Sequence, residues 1–324
     1  HFFNPPRYLR LLEVIPTPHT DPAITDFMMH YGDLFLGKRT VLCKDTPAFI
    51  ANRVGVAALL RVLELVKELG LTPEETDKLT GPVTGKPNTG TFRLADLIGS
   101  DTTLKVKQGL AQNLPDDELH SMFANAGILE AICEKGWYGD KTNQGFYKKT
   151  NECDATGRPV ILTLDLDTLE YRENKPADFP SLKKIGKIED VSERLNAIIN
   201  DDSRAGKFAW HVLSRSLAYA ANIAWDIADD IQNIDRAMKW GFNWEQGPFE
   251  AWQALGVRRT AERMKAEGLP LPAWIDKAVE ADSFYKKDPV APTYLSKAGS
   301  FVPENDIPGS ISLSRLKAQG KVVE

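Results

Sequence analysis

From Pro47 to Leu69 apolar residues and good helix formers follow one another almost without a break, and Gly70 ends the run. At about 100° per residue, Arg53, Arg61, Glu64, Lys67 and Glu68 gather on one stripe. The pattern therefore predicts a helix buried on its remaining sides. Thr46 is placed to cap it through its hydroxyl, and Pro47 suits the first helical position, where a missing N–H leaves nothing unsatisfied. Asn52 is a polar residue off the stripe, roughly 60° away by the same count. A polar side chain beside an apolar face needs a partner, which is either another part of the protein or a ligand.

The flanking patterns are of two kinds. Leu11-Leu12-Glu13-Val14-Ile15 is a short apolar run with one acid inside it. Residues 21–36 have helical periodicity, with Ile24, Phe27, Met28, Tyr31, Leu34 and Phe35 as the apolar set, and Thr40-Val41-Leu42-Cys43 is β-prone. Residues 1–45 thus read as strand, strand, helix, strand, the closing piece of a doubly wound sheet with an unpaired edge. Residues 46–150 read as an all-helical domain. A second helix starts at Thr72, where Pro73 and Glu75 complete a capping box. A loop at 81–90 leads into Thr91–Gly99 and a helix from about Asp101. Gly136-Trp137-Tyr138-Gly139 and Gly145-Phe146-Tyr147 close the domain, the glycines for turns and the aromatics for the core.

Residues 151–204 read as a connector, with a hairpin of 160–164 against 169–172 and a short helix over 189–199. Residues 205–282 repeat the first helical domain in degraded form. Ile234-Asp235-Arg236 matches Thr76-Asp77-Lys78 at an offset of 158 residues, and Gly247-Pro248-Phe249 matches Gly90-Thr91-Phe92 at 157. Where the first copy has Asn52-Arg53, the second has Ser214-Arg215. Residues 283–324 read as a tail or linker.

Composition narrows the function classes. With 324 residues, 42% apolar and 26% charged, the chain can form two domains with a good core. A net charge of −5 argues against nucleic acid as the main partner. Cys43, Cys133 and Cys153 have no metal-ligand spacing and read as reduced thiols of a cytoplasmic protein. The five histidines, His1, His19, His30, His120 and His211, form no cluster, so no zinc site is expected. No segment has the pattern of a signal peptide or a membrane span. No Gly-x-Gly-x-x-Gly follows a strand, and the three glycines of 81–90 have other spacings.

Three motifs carry a family resemblance. Lys44-Asp45-Thr46-Pro47-Ala48-Phe49-Ile50-Ala51-Asn52-Arg53 resembles the segment leading into the helical domain of 3-hydroxyacyl-CoA dehydrogenases. His1-Phe2-Phe3-Asn4-Pro5 resembles that family's HFFNP motif, and the Leu-Leu-Glu-Val-Ile run follows at family spacing. The resemblance implies a mainly α fold. Tandem C-terminal-type helical domains, similar to that of 6-phosphogluconate dehydrogenase, follow a short α/β remnant of a Rossmann domain.

It also implies the chemistry. His1 and Glu13 match the catalytic His–Glu pair, a base for the 3-hydroxyl proton and the carboxylate that orients it. Asn52 matches an Asn that binds substrate near its thioester. NAD is the implied cofactor of the complete enzyme, with its site largely absent here, so no cofactor-binding residue is assigned and the chain alone is expected to be inactive. The implied partners are a 3-hydroxyacyl-CoA substrate and an enoyl-CoA hydratase-like domain on the same parent chain of fatty acid β-oxidation. The competing reading is a non-catalytic helical module for packing and assembly. A sugar-acid or 2-hydroxy-acid dehydrogenase is disfavoured by HFFNP.

Overall fold

A computed structural model describes residues 1–304, 311 and 313–322. The chain begins β1 (Leu11–Val14), α1 (Pro22–Leu34), β2 (Arg39–Leu42), α2 (Ala51–Leu69), α3 (Pro73–Leu79), α4 (Phe92–Ile98), α5 (Ser100–Asn113), α6 (His120–Ala124) and α7 (Ile128–Glu134). It continues β3 (Tyr147–Cys153), β4 (Pro159–Leu164), β5 (Tyr171–Glu173), α8 (Leu182–Ile185), α9 (Val191–Ile199) and α10 (Arg204–Ile227). The last part holds α11 (Ile231–Phe242), α12 (Pro248–Leu255), α13 (Val257–Ala266), α14 (Ile275–Ala281), β6 (Tyr285–Lys286), β7 (Thr293–Leu295), β8 (Phe301–Pro303) and α15 (Leu313–Ala318). Two compact units result: His1–Ala51 with Ser214–Glu324, and Asn52–Leu213.

In the first unit β1 and β2 pair in parallel, from Leu11 opposite Arg39 to Val14 opposite Leu42. A parallel pair needs a crossover, and α1 supplies it. Asp21 caps α1 by accepting the Ala23 N–H, with Pro22 in the first turn. Phe2 bridges antiparallel to Leu12, so the chain start lies along the edge of β1 away from β2. One face of α1 stays in solvent: Phe27, Tyr31 and Phe35 stack at 5.6 and 5.5 Å and are exposed.

α11 packs on both strands, and Gly241 allows the approach. A Cβ there would stand 2.8 Å from Leu11 Cδ2 and 3.2 Å from Phe3 Cε1. Farther along, Phe249, Trp252, Trp274 and Phe284 form an aromatic core, with Phe284 5.2 Å from Phe249 and 5.3 Å from Trp252. The stretch expected as tail or linker carries the antiparallel sheet β6–β7–β8. Positions 305–310, 312, 323 and 324 of that stretch lie outside the described residues.

In the second unit α2 contributes Val54, Ala57, Ala58, Leu65 and Val66 to the core. The expected charged stripe is solvated at Glu64, Lys67 and Glu68. Arg53 departs from it: its side chain is buried and donates to Asp117 Oδ2 at 2.8 Å. A buried guanidinium is tolerated because a buried carboxylate meets it. α3 has the expected capping box, Thr72 and Glu75 exchanging hydrogen bonds with each other's backbone N–H. The hairpin β4–β5 forms as expected, and β3 adds a third strand to it.

Each unit contains an aspartate that seats a helix start, half-buried at Asp77 and buried at Asp235. In the second unit, Asp77 accepts the Phe92 and Arg93 N–H groups at 2.6 and 3.1 Å, and the Tyr147 hydroxyl donates to it at 2.7 Å. In the first, Asp235 accepts the Phe249 and Glu250 N–H groups at 2.8 and 3.0 Å and the Tyr285 hydroxyl at 2.6 Å. The glycine before each helix has no room for a side chain. A Cβ on Gly90 would lie 2.4 Å from Asp77 Cα, and one on Gly247 2.3 Å from Asp235 Cα.

Candidate active site

Antiparallel pairing at the chain start fixes the first element of the site. The His1 amino group donates to the Glu13 carbonyl at 2.6 Å, and the Glu13 N–H returns a bond to the His1 carbonyl at 3.0 Å. The two side chains meet: His1 Nδ1 stands 2.7 Å from Glu13 Oε2. The Glu13 side chain is fully buried, whereas the imidazole is 32% exposed. Phe3 and Phe49 flank the imidazole with ring centroids at 5.4 and 5.5 Å.

A buried carboxylate is costly unless its oxygens are met by donors. Glu13 has donors on both. Oε1 accepts the Ala51 N–H at 2.9 Å and the Ile50 N–H at 3.2 Å. These are orphan donors at the start of α2, so Glu13 acts as its cap from 38 residues upstream. The expected cap does not form. Residues 47–50 make a turn, in which Ala48 and Phe49 have φ of 62° and 53°, and α2 begins at Ala51 rather than Pro47. The Thr46 hydroxyl oxygen is buried without a hydrogen-bond partner among the described residues. The long-range carboxylate supplants the local hydroxyl.

This arrangement can handle one proton. With Nδ1–H given to Glu13, Nε2 keeps a lone pair and can accept a proton, and the carboxylate stabilises the imidazolium that forms. Cys43, at the end of β2, is buried beside the same carboxylate. Burial pushes its thiol well above the ordinary range, and the charge of Glu13 adds to the effect. It is therefore a neutral neighbour and not a nucleophile.

Asn52 opens the second unit, half-buried in the first turn of α2. Its side-chain amide makes no hydrogen bond with the described residues, so the amide is available to a ligand. Nothing in the sequence signals that Cys43 lies beside Glu13, that Ala48–Phe49 turns, or that the Ile50 and Ala51 N–H groups donate to Glu13. Non-glycine residues in left-handed backbone carry no local signal.

A dinucleotide's pyrophosphate is held by free N–H groups at a helix N-terminus reached through a glycine-rich turn. The turn from β1 to α1 has no glycine, and its Asp21 carboxylate already accepts the Ala23 N–H at 2.9 Å. An anion at that point would meet a carboxylate, so this helix start does not fit the pyrophosphate. Among the described residues no group of three or more His, Cys, Asp or Glu side chains is placed to hold a metal ion. No helix among them is long and apolar enough to cross a membrane.

Comparison with known proteins matches two family models in succession. Residues 1–46 match the NAD binding domain of 3-hydroxyacyl-CoA dehydrogenase, and residues 49–149 match the C-terminal domain of 3-hydroxyacyl-CoA dehydrogenase. The β–α–β segment is thus a recognised stretch of the NAD-binding region, and the expectation of a mere remnant is corrected. A probable 3-hydroxyacyl-CoA dehydrogenase of Bacillus subtilis (strain 168) is 41% identical over 290 residues, 89% of this chain and 36% of the relative. A putative fatty acid oxidation complex trifunctional enzyme of Rickettsia felis is 32% identical over 251 residues, 77% of this chain and 33% of the relative. The chain therefore spans about a third of the length of these relatives. A crystal structure of 3-hydroxybutyryl-CoA dehydrogenase from Escherichia coli K12 superposes with a TM-score of 0.62. That match covers 87% of this chain and 70% of the other at 18% identity, a likeness of fold alone.

Proposed function

The chain belongs to the 3-hydroxyacyl-CoA dehydrogenase family, and on that premise we propose that it is the proton-handling and substrate-holding part of an NAD-dependent enzyme. The enzyme oxidises L-3-hydroxyacyl-CoA to 3-oxoacyl-CoA in fatty acid β-oxidation. The observation that carries the reading is the 2.7 Å contact between His1 Nδ1 and Glu13 Oε2. Converting an alcohol to a ketone removes a proton from oxygen and a hydride from carbon, and these residues account for the proton. His1 Nε2 takes it from the 3-hydroxyl, and Glu13 holds the tautomer and stabilises the imidazolium. Asn52 offers its amide to the acyl thioester.

NAD is the cofactor named by the matched domain, and its pyrophosphate is held by residues other than the α1 start. The misfit of the α1 start supports the expectation that the chain by itself is inactive. Residues 46–150 and 205–282 are two copies of one helical domain. What supports this is the repeated aspartate–glycine device, at Asp77 and Gly90 and at Asp235 and Gly247, each aspartate also accepting a tyrosine hydroxyl, from Tyr147 within the first span and from Tyr285 just beyond the second. An enoyl-CoA hydratase-like domain on the parent chain accords with the printed name of the trifunctional relative. A cytoplasmic setting accords with three free cysteines.

The test is 3-hydroxyacyl-CoA-dependent NAD reduction by the complete protein, with and without His1→Ala. Loss of turnover with the fold retained is expected. Unchanged turnover would leave the non-catalytic module as the better reading.

A further inference from the structure

We propose that the turn Ala48–Phe49 is the positioning element of the His1–Glu13 pair, acting on both members at once. The inference rests on the functional reading above only for what the pair does, because its geometry stands independently. Ala48 and Phe49 are consecutive non-glycine residues with φ of 62° and 53°. Left-handed backbone is unfavourable for residues with a Cβ and persists only where the surroundings impose it. Here it has two consequences.

The first concerns Glu13. The turn brings the Ile50 and Ala51 N–H groups onto Oε1 at 3.2 and 2.9 Å. A regular helix from Pro47 would have given its first N–H groups to a local cap such as Thr46. With Oε1 occupied by two fixed donors, the carboxylate cannot rotate freely, and Oε2 is left facing His1 Nδ1 at 2.7 Å. The second concerns His1. The same turn places the Phe49 ring 5.5 Å from the imidazole, which also meets Phe3 at 5.4 Å. Phe3 is itself held edge-on against Phe242 at 5.4 Å. One dipeptide thereby sets the carboxylate's rotamer and one side of the imidazole's slot. Groups tuned for proton transfer need this kind of support, because a loosely held pair spends its time in other rotamers.

Ala48 and Phe49 are thus positioning residues, acting through Glu13 and His1.

Nitrogen NMR of the histidine-labelled chain, without substrate or NAD, reads the tautomer of His1 directly. The unmodified chain is expected to hold the Nδ1–H tautomer. Ala48→Gly, which accepts the left-handed backbone without strain, should retain it. Ala48→Val, a β-branched residue at a positive φ, should displace the turn and lose the Nδ1–H tautomer. Phe49→Ala keeps the backbone and removes one wall, so the Nδ1 signal should broaden. A folded Ala48→Val chain with an unchanged Nδ1–H tautomer overturns the proposal. If Ala48→Val does not fold, an unchanged tautomer and line width in Phe49→Ala does the same. Failure of the functional reading is separate: it would show as a complete protein lacking 3-hydroxyacyl-CoA oxidation while His1 holds the Nδ1–H tautomer.

Discussion

The Glu13 carboxylate caps the helix that begins at Ala51, accepting its N–H at 2.9 Å across 38 residues of chain. The same carboxylate accepts from His1. The His1–Glu13 pair and the helix start are therefore one structure, and a change at either is felt by the other.

The proposed ligand role of Asn52 makes a prediction that separates it from a structural role. Its side-chain amide makes no hydrogen bond with the described residues, so Asn52→Ala should leave the melting curve of the chain nearly unmoved, within about 0.5 kcal/mol. In the complete protein the loss should appear with the acyl-CoA substrate, on the order of 1–3 kcal/mol in kcat/KM if the thioester is left unpaired. It falls in KM if the contact is equal in ground and transition states, and in kcat if it strengthens during reaction. A large drop in melting temperature with unchanged kinetics per folded molecule would make Asn52 a structural residue.

The two aspartate–tyrosine devices give a matched pair of stability predictions. Tyr147→Phe removes the hydroxyl that donates to Asp77, and Tyr285→Phe removes the one that donates to Asp235. Burial already pushes Asp77 up to about 6 against its three donors, and pushes Asp235 well above the carboxylate range. Losing a donor should cost about 1–3 kcal/mol in each case. Denaturant melts of the two variants test the idea, and a clear effect at one site with none at the other would argue against equivalent copies.

Acid stability should depend on Glu74. Burial alone would raise its pKa, but two hydrogen bonds from Arg172, at 2.7 and 2.9 Å, and one from the Lys175 N–H lower it to about 2. A carboxylate with a depressed folded-state pKa stabilises the fold above its unfolded value, near 4.5, and that stability drains as pH falls toward 2. Arg172→Met should therefore lower stability at neutral pH and flatten the loss between 4.5 and 2 relative to the unmodified chain. Parallel stability–pH curves for the two proteins would contradict the assignment.

Much of this architecture is legible in the chain because the signals are local. Thr72, Pro73 and Glu75 announce the start of α3, and the short apolar run around Glu13 marks β1 and an acid in need of a partner. The 157–158-residue offset points to Asp235 and Gly247, whose contacts in the first unit repeat those of Asp77 and Gly90 in the second. What escaped is non-local. Arg53 falls on the solvent stripe by angle alone, and its partner Asp117 lies 64 residues later, outside any local pattern. Thr46 and Pro47 satisfy the rules for a helix start, yet Glu13 takes the cap from outside the local window. The sheet β6–β7–β8 was hidden by its short strands and prolines, the composition of a linker.

The chain alone should not bind NAD measurably, because the only β-to-α turn of its NAD-binding segment ends on a carboxylate rather than on free N–H groups. Calorimetric titration with NAD checks this, and micromolar binding would refute it.

The most direct test of the central claim is the turnover of the complete protein carrying Glu13→Gln, measured at saturating 3-hydroxyacyl-CoA beside a thermal melt. The amide oxygen of Gln can still accept the Ile50 and Ala51 N–H groups, so the helix start and the fold should survive. Its NH2 group then faces His1 Nδ1, disfavouring the Nδ1–H tautomer and removing the charge that stabilises the imidazolium. The account predicts a fall in turnover of roughly 10²–10⁴ with the melt little changed. Undiminished turnover by a folded Glu13→Gln protein would contradict it.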